Sequence, residues 1–256
     1  LGTQQSSGTL RGFSSYILLN LDSREIEKYI ETRLGKQARI FTDNVSKKQL
    51  QELLGIPFYL IHLVELFEVN RTLPQSKAEI FEQLLIARIQ LDMEHYRTTV
   101  ELDEKRKTII ETLERVALGM ETLGRNYITD DEFQQLIPDE VLRILIKHCT
   151  VWKKNEGEKI SWQFEHNNFQ EYLAARVLSR QPIEIIRDFI SFQPDHRKII
   201  PSWVNTLSFL LSISNDRGLF SWILDNEPEL AVKCEPDKIE KATRICIFKE
   251  IFNNYK

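Results

Sequence analysis

The chain has 256 residues, 42% of them apolar and 28% charged, with a formal net charge of −4. That balance is globular, and it weighs against a general nucleic-acid binder, whose domain is usually strongly basic. No apolar run reaches the length of a membrane span. The cysteines, Cys149, Cys234 and Cys246, lack paired spacing, which fits a reducing compartment such as the cytoplasm and weighs against a zinc site.

Residues 1–14 are polar, with Gly and Ser, and read as a loop. They carry no initiator Met, no basic n-region and no apolar h-region, so a piece of a longer, non-secreted protein is expected. The apolar run 16–21 is expected as one short strand. Asp22 and Ser23 then offer a cap, and Ile26, Tyr29, Ile30 and Leu34 recur at helical spacing until Gly35 stops the helix. A short helix over 47–54 ends at Gly55. Pro57 sits where a first-turn proline belongs, because its missing N–H would be unpaired there in any case. The segment 58–69 is apolar almost all round, the mark of a helix buried on several sides. His62 and Glu65 read as a partly exposed polar stripe on it. Pro74 breaks the chain, and Ser76 with Glu79 forms a capping-box pattern that opens a long amphipathic helix to about Arg97.

After a charged linker at 101–107, a helix over 108–123 stops at Gly124. Thr129 caps a short helix through Leu136, and Pro138-Asp139 opens a third helix that ends near Cys149 with His148 beside it. The period then changes from 3.6 to 2. Residues 150–153 and 159–164, with a turn at 155–158, read as a β-hairpin on which Trp152 and Trp162 pair. Asn168 with Glu171 is expected to cap the next helix, whose buried face carries Phe169, Tyr172, Leu173 and Val177. Beyond Pro182, helical signals recur at 183–192, 203–213, 219–224 and 239–255, without a clear repeat period. The fold class is therefore mainly α: a helical bundle, then a winged-helix domain with a short β-hairpin wing, then further helices.

On local physics, His166 is either a capping or core residue or a contact to an anion at the helix N-terminus, where unpaired N–H groups and the dipole favour negative charge. Its surroundings carry a resemblance. The run Phe164-Glu165-His166-Asn167-Asn168-Phe169-Gln170-Glu171-Tyr172-Leu173-Ala174-Ala175 is similar to the winged-helix signature of NACHT-type STAND NTPases. Gly55-Ile56-Pro57 resembles the Gly-x-Pro that follows the nucleotide domain in that family, and 70–81 looks like the segment after it. The resemblance spans about 15–180. It implies a tail of the NACHT nucleotide-binding domain at 1–45, a helical domain at 46–105, a winged-helix domain at 106–180, and a helical arm or the start of a repeat region at 181–256. It further implies that His166 contacts the β-phosphate of ADP, and that Pro57, with Ile56 and Phe58, packs on adenine.

No Gly-x-x-x-x-Gly-Lys-Ser/Thr loop and no acidic strand end occurs, so Walker A and Walker B are missing. The ADP or ATP, with its Mg, would be held mainly by an upstream NACHT domain, and this chain alone should not hydrolyse ATP. In the implied mechanism ADP keeps a closed resting state, and exchange for ATP opens it to homo-oligomerisation in signalling or defence. Two other readings stay open. One is a winged-helix DNA-binding regulator using the helix 139–149, where only Arg143 and Lys147 reach for DNA while Asp139 and Glu140 repel phosphate. The other is a helical protein-interaction module without nucleotide.

Overall fold

Asp22 fixes where the first helix begins. Its Oδ1 accepts from the Glu25 N–H at 2.8 Å, while Glu25 Oε2 accepts from the Asp22 N–H at 2.9 Å, a complete capping box. The computed structural model describes residues 19–48, 50–96, 106–149, 152–156, 160–214, 216–234 and 239–254. Among these it is mainly helical with one small sheet. The chain forms two compact units, the first ending at Ile80 and the second starting at Phe81.

In the first unit, α1 (Ser23–Leu34) ends at Gly35, whose φ of 51° suits a residue without a Cβ. A 3-10 turn leads into α2 (Ala38–Lys47), then α3 (Gln51–Leu54) and α4 (Pro57–Asn70). The sequence does not announce α2, because only Phe41 and Val45 mark its buried side. The strand expected over 16–21 falls mostly outside the described residues, and 19–21 carry no regular structure. Pro57 takes the first turn of α4 as expected, and that helix is buried on several sides, with Leu60, Leu63, Val64 and Phe67 almost wholly enclosed. Phe41 meets Phe67 edge-on at 5.4 Å, and Arg33 bonds Glu68 at 2.8 Å, tying α2 and α1 to α4. The long helix α5 (Lys77–Tyr96) begins as the pattern predicts, with the Ser76 hydroxyl accepting from the Glu79 N–H at 3.2 Å. The Glu79 carboxylate takes the Gln75 N–H at 2.6 Å.

The second unit is built around α9 (Asn167–Leu178), which packs between α6 (Arg106–Thr122) and α11 (Val204–Ile213). Phe81, Phe169, Tyr172 and Phe209 form one buried cluster, with ring centres 5.1 Å apart for Phe81–Phe169 and 5.3 Å for Phe81–Phe209. Glu114, buried in α6, binds Arg176 of α9 at 2.8 Å and also Arg180. Gly124, at a φ of 63°, ends the α6 segment where the sequence places a stop.

Between α6 and α9 lie β1 (Ile128–Thr129), α7 (Asp130–Leu136), α8 (Glu140–Lys147), β2 (Trp152–Glu156) and β3 (Ile160–Phe164). The hairpin is present, with Lys154 opposite Trp162 and Trp152 opposite Phe164. β1, too short to show a period, adds an antiparallel third strand in the order β1-β3-β2. Thr129 and Glu132 make a full capping box on α7, reinforced by Arg125 on Glu132 at 2.7 Å. Thr129→Ala is expected to lower stability by about 1 kcal/mol, seen as a lower urea midpoint, and Thr129→Ser should recover most of it. After α9 come α10 (Ile183–Ile190), α11, α12 (Arg217–Asn226), α13 (Pro228–Cys234) and α14 (Lys241–Asn254). Only α13 lacked a signal in the sequence.

Candidate functional site

The chain reaches α9 through β3, and this sets His166. Its backbone is extended, at φ −142° and ψ 139°, and its own ring caps the helix: Nδ1 accepts from the Asn168 N–H at 3.1 Å. This corrects the expected Asn168–Glu171 capping box. Asn168 lies inside the first turn, and Glu171 instead accepts from Asn205 Nδ2 on α11 at 2.9 Å. The physical reason is position. The helix starts one residue before Asn168, so the residue with non-helical dihedrals, and hence the cap, is His166. A Nδ1 that accepts is unprotonated, so the neutral ring carries its proton on Nε2 and that atom is a donor. The ring is partly buried and sits at the positive end of a helix of three turns. Next to it, Glu165 lies 3.7 Å from Arg88 of α5.

The first unit holds the other residues singled out. Ile56 and Pro57 are exposed and Phe58 is half-buried. The turn is braced from behind: the Leu21 N–H donates to the Gly55 carbonyl at 2.8 Å, and Asn20 lies against Gly55. Phe58 meets His62 edge-on at 4.5 Å. Ile56 and Pro57 thus form an exposed apolar step on a braced turn.

The remaining candidates resolve into packing. His62 is buried, not on a partly exposed stripe, and its Nδ1 pairs with Glu65 at 2.9 Å. His148 caps the end of α8, and the buried Cys149 directs its thiol to the Leu145 carbonyl at 3.6 Å. Arg143, considered for DNA, donates to the Ile137 and Pro138 carbonyls at 2.6 and 2.8 Å, and Lys147 sits 5.6 Å over the Trp162 ring. Both α8 cations are thus engaged within the fold. One Ser–His–Asp array does form: Ser191 Oγ lies 2.9 Å from His196 Nδ1, and His196 Nε2 lies 3.5 Å from Asp188. Ser191 is only 2% exposed and its hydroxyl donates to the Arg187 carbonyl at 2.7 Å, so no substrate reaches it.

A buried polar junction behind His166 was not foreseen. Gln170 Nε2 donates to Glu121 Oε1 at 2.8 Å and to the Arg125 carbonyl at 3.0 Å, and Thr206 donates to Glu121 Oε2 at 3.2 Å. Burial pushes the Glu121 carboxyl up to about 7, with the Glu171 charge adding to the rise and the Gln170 and Thr206 hydrogen bonds opposing it. Its signal was present: Glu121 stands four residues after Ala117 on the apolar stripe of α6.

Among the described residues no helix is long and apolar enough to cross a membrane, and no group of His, Cys, Asp and Glu is placed to hold a metal. No family model matches the chain, and no curated protein matches it.

Proposed function

We propose that this chain is the nucleotide-sensing regulatory region of a NACHT-type STAND ATPase acting in the cytoplasm, and that α6 to α9 with the β2–β3 hairpin are its winged-helix domain. The helix–helix–helix–hairpin–helix order and the antiparallel hairpin support the winged helix. The observation that carries the functional reading is His166. Its ring caps α9 and stands at the positive helix end, where N–H groups and the helix dipole favour a phosphate oxygen. An upstream P-loop domain would supply the phosphate loop and Mg. Pro57, Ile56 and Phe58 would meet the adenine of the nucleotide held there, and His166 its β-phosphate. The α8 cations, occupied by carbonyls and rings, leave little for a DNA backbone.

A hydrogen bond to a charged phosphate is worth about 1.5–3 kcal/mol, which biases a two-state equilibrium by roughly ten- to a hundred-fold. The test is His166→Asn in the full-length parent. Asn is a good cap, so the helix start survives, but the imidazole donor is lost. Expected are loss of co-purifying ADP and a shift toward oligomers at an unchanged melting temperature. Unchanged ADP content together with an unchanged oligomeric state would overturn the reading.

A further inference from the structure

The start of α9 is tied to two other helices by polar groups inside the core. Gln170 stands four residues after His166, one turn further along the same face. It is 5% exposed, and both hydrogens of its amide nitrogen are used: one goes to Glu121 Oε1 at 2.8 Å, the other to the Arg125 carbonyl at 3.0 Å. Turned round, the amide would set its oxygen against that carbonyl, so its orientation is determined. The acceptors are themselves fixed. At the end of α6 the Arg125 N–H donates to the Met120 carbonyl and the Gly124 N–H to the Glu121 carbonyl, each at 3.0 Å, the double closure of a Schellman turn. Gln170 thus clamps the start of α9 to a rigid helix end.

Glu121 faces the other way as well. Its Oε2 accepts from the Thr206 hydroxyl of α11 at 3.2 Å, and Thr206 has no exposed surface. Beside it, Asn205 donates to Glu171, the chain neighbour of Gln170, at 2.9 Å. The contacts therefore run from Thr206 to Glu121 to Gln170, and one turn back along α9 to His166. Thr206, Glu121 and Gln170 are all buried, so removing one leaves a polar group of the next without its partner.

We propose that α11 regulates His166 through this junction: Thr206 holds Glu121, Glu121 holds Gln170, and Gln170 is the positioning residue that keeps the first turn of α9, and so the His166 cap, in place. Displacing α11 from α9 loosens that cap. What His166 holds rests on the nucleotide reading; its coupling to α11 is a property of this chain alone.

The test follows the cap by NMR in the 256-residue chain without nucleotide, at pH about 8, where an ordinary imidazole is neutral. Two signals report it. One is hydrogen exchange of the Asn168 amide, which the His166 ring protects; the other is the pair of imidazole nitrogen shifts, which mark the tautomer protonated on Nε2. Gln170→Met keeps the length of the side chain and loses the donor, and Thr206→Val keeps the shape and loses the hydroxyl. Expected is Asn168 exchange about tenfold faster in Gln170→Met and several-fold faster in Thr206→Val, with the ring moving toward a mixture of tautomers and Thr206→Ser restoring both signals. The Glu132 amide, capped by Thr129 on α7 outside the junction, should not change. A purely structural junction would lower the melting temperature and leave the Asn168 amide and the His166 ring as in the wild type. That result overturns the proposal, and in Thr206→Val it suffices alone should Gln170→Met not fold. Because no nucleotide is present, failure here leaves the phosphate role of His166 to the His166→Asn experiment, and failure there leaves the coupling standing.

Discussion

Phe81→Ala lowers the stability of the second unit by about 3–5 kcal/mol, the usual cost of emptying a fully buried aromatic site. Phe81 has no exposed surface, and its ring meets Phe169 edge-on at 5.1 Å, Phe209 edge-on at 5.3 Å and Tyr172 at 6.2 Å. One residue of α5 therefore touches both α9 and α11. Truncation removes the transfer energy of the ring and leaves a void that three rigid aromatic neighbours close poorly. Phe81→Leu fills most of that volume and should cost less than half as much. The measurement is urea unfolding followed by far-UV circular dichroism, with the loss read from the midpoint at constant slope. A loss under about 1 kcal/mol for Phe81→Ala would mean that the cluster does not join these helices.

Stability falls as pH rises through neutrality, and Glu121 is the cause. Burial raises its carboxyl from 4.5 to about 7 in the folded chain. A group whose folded value is raised contributes fully below its unfolded value and loses that contribution as pH climbs through the folded one. The window is therefore pH 4.5 to about 7, and the full loss is about 3 kcal/mol at 1.36 kcal/mol per unit. The charge acting on it is that of Glu171 on α9, which disfavours ionisation, while the neutral Gln170 and Thr206 hydrogen-bond donors favour it. Glu121→Gln keeps an oxygen for Gln170 and cannot ionise. The difference in unfolding free energy between wild type and Glu121→Gln should thus change by most of that amount between pH 5 and 8, the variant gaining relative stability at the alkaline end. Parallel pH profiles would refute this.

The candidate site was legible only in part. The Gly-x-Pro turn could be read directly, because proline at the first turn and glycine at a helix stop act through local backbone sterics. His166 could be found, but not its role as the cap, since one residue of shift in the helix start exchanges the cap for a first-turn residue. The Glu121 junction escaped because its partners are 49 and 85 residues away in sequence. The buried Trp152 Nε1–H, which has no acceptor among the described residues, escaped for a related reason: the sequence announces an indole, but only packing shows what surrounds it.

By itself the sequence determined the helices with strong caps and periodic apolar faces, α1, α4, α6, α7 and α9, and the hairpin with its change of period. Each of these depends on neighbours within a few residues, where capping, proline and side-chain periodicity act. Only the tertiary structure decided the elements with weak local signals, α2, α13 and β1, which owe their form to what they pack against or pair with. It also decided which polar groups are buried, that Arg143 turns back onto carbonyls, and that two lysines and two indoles converge on one cleft. Those outcomes depend on burial and on contacts between residues far apart in the chain, and periodicity along a single segment carries no information about them.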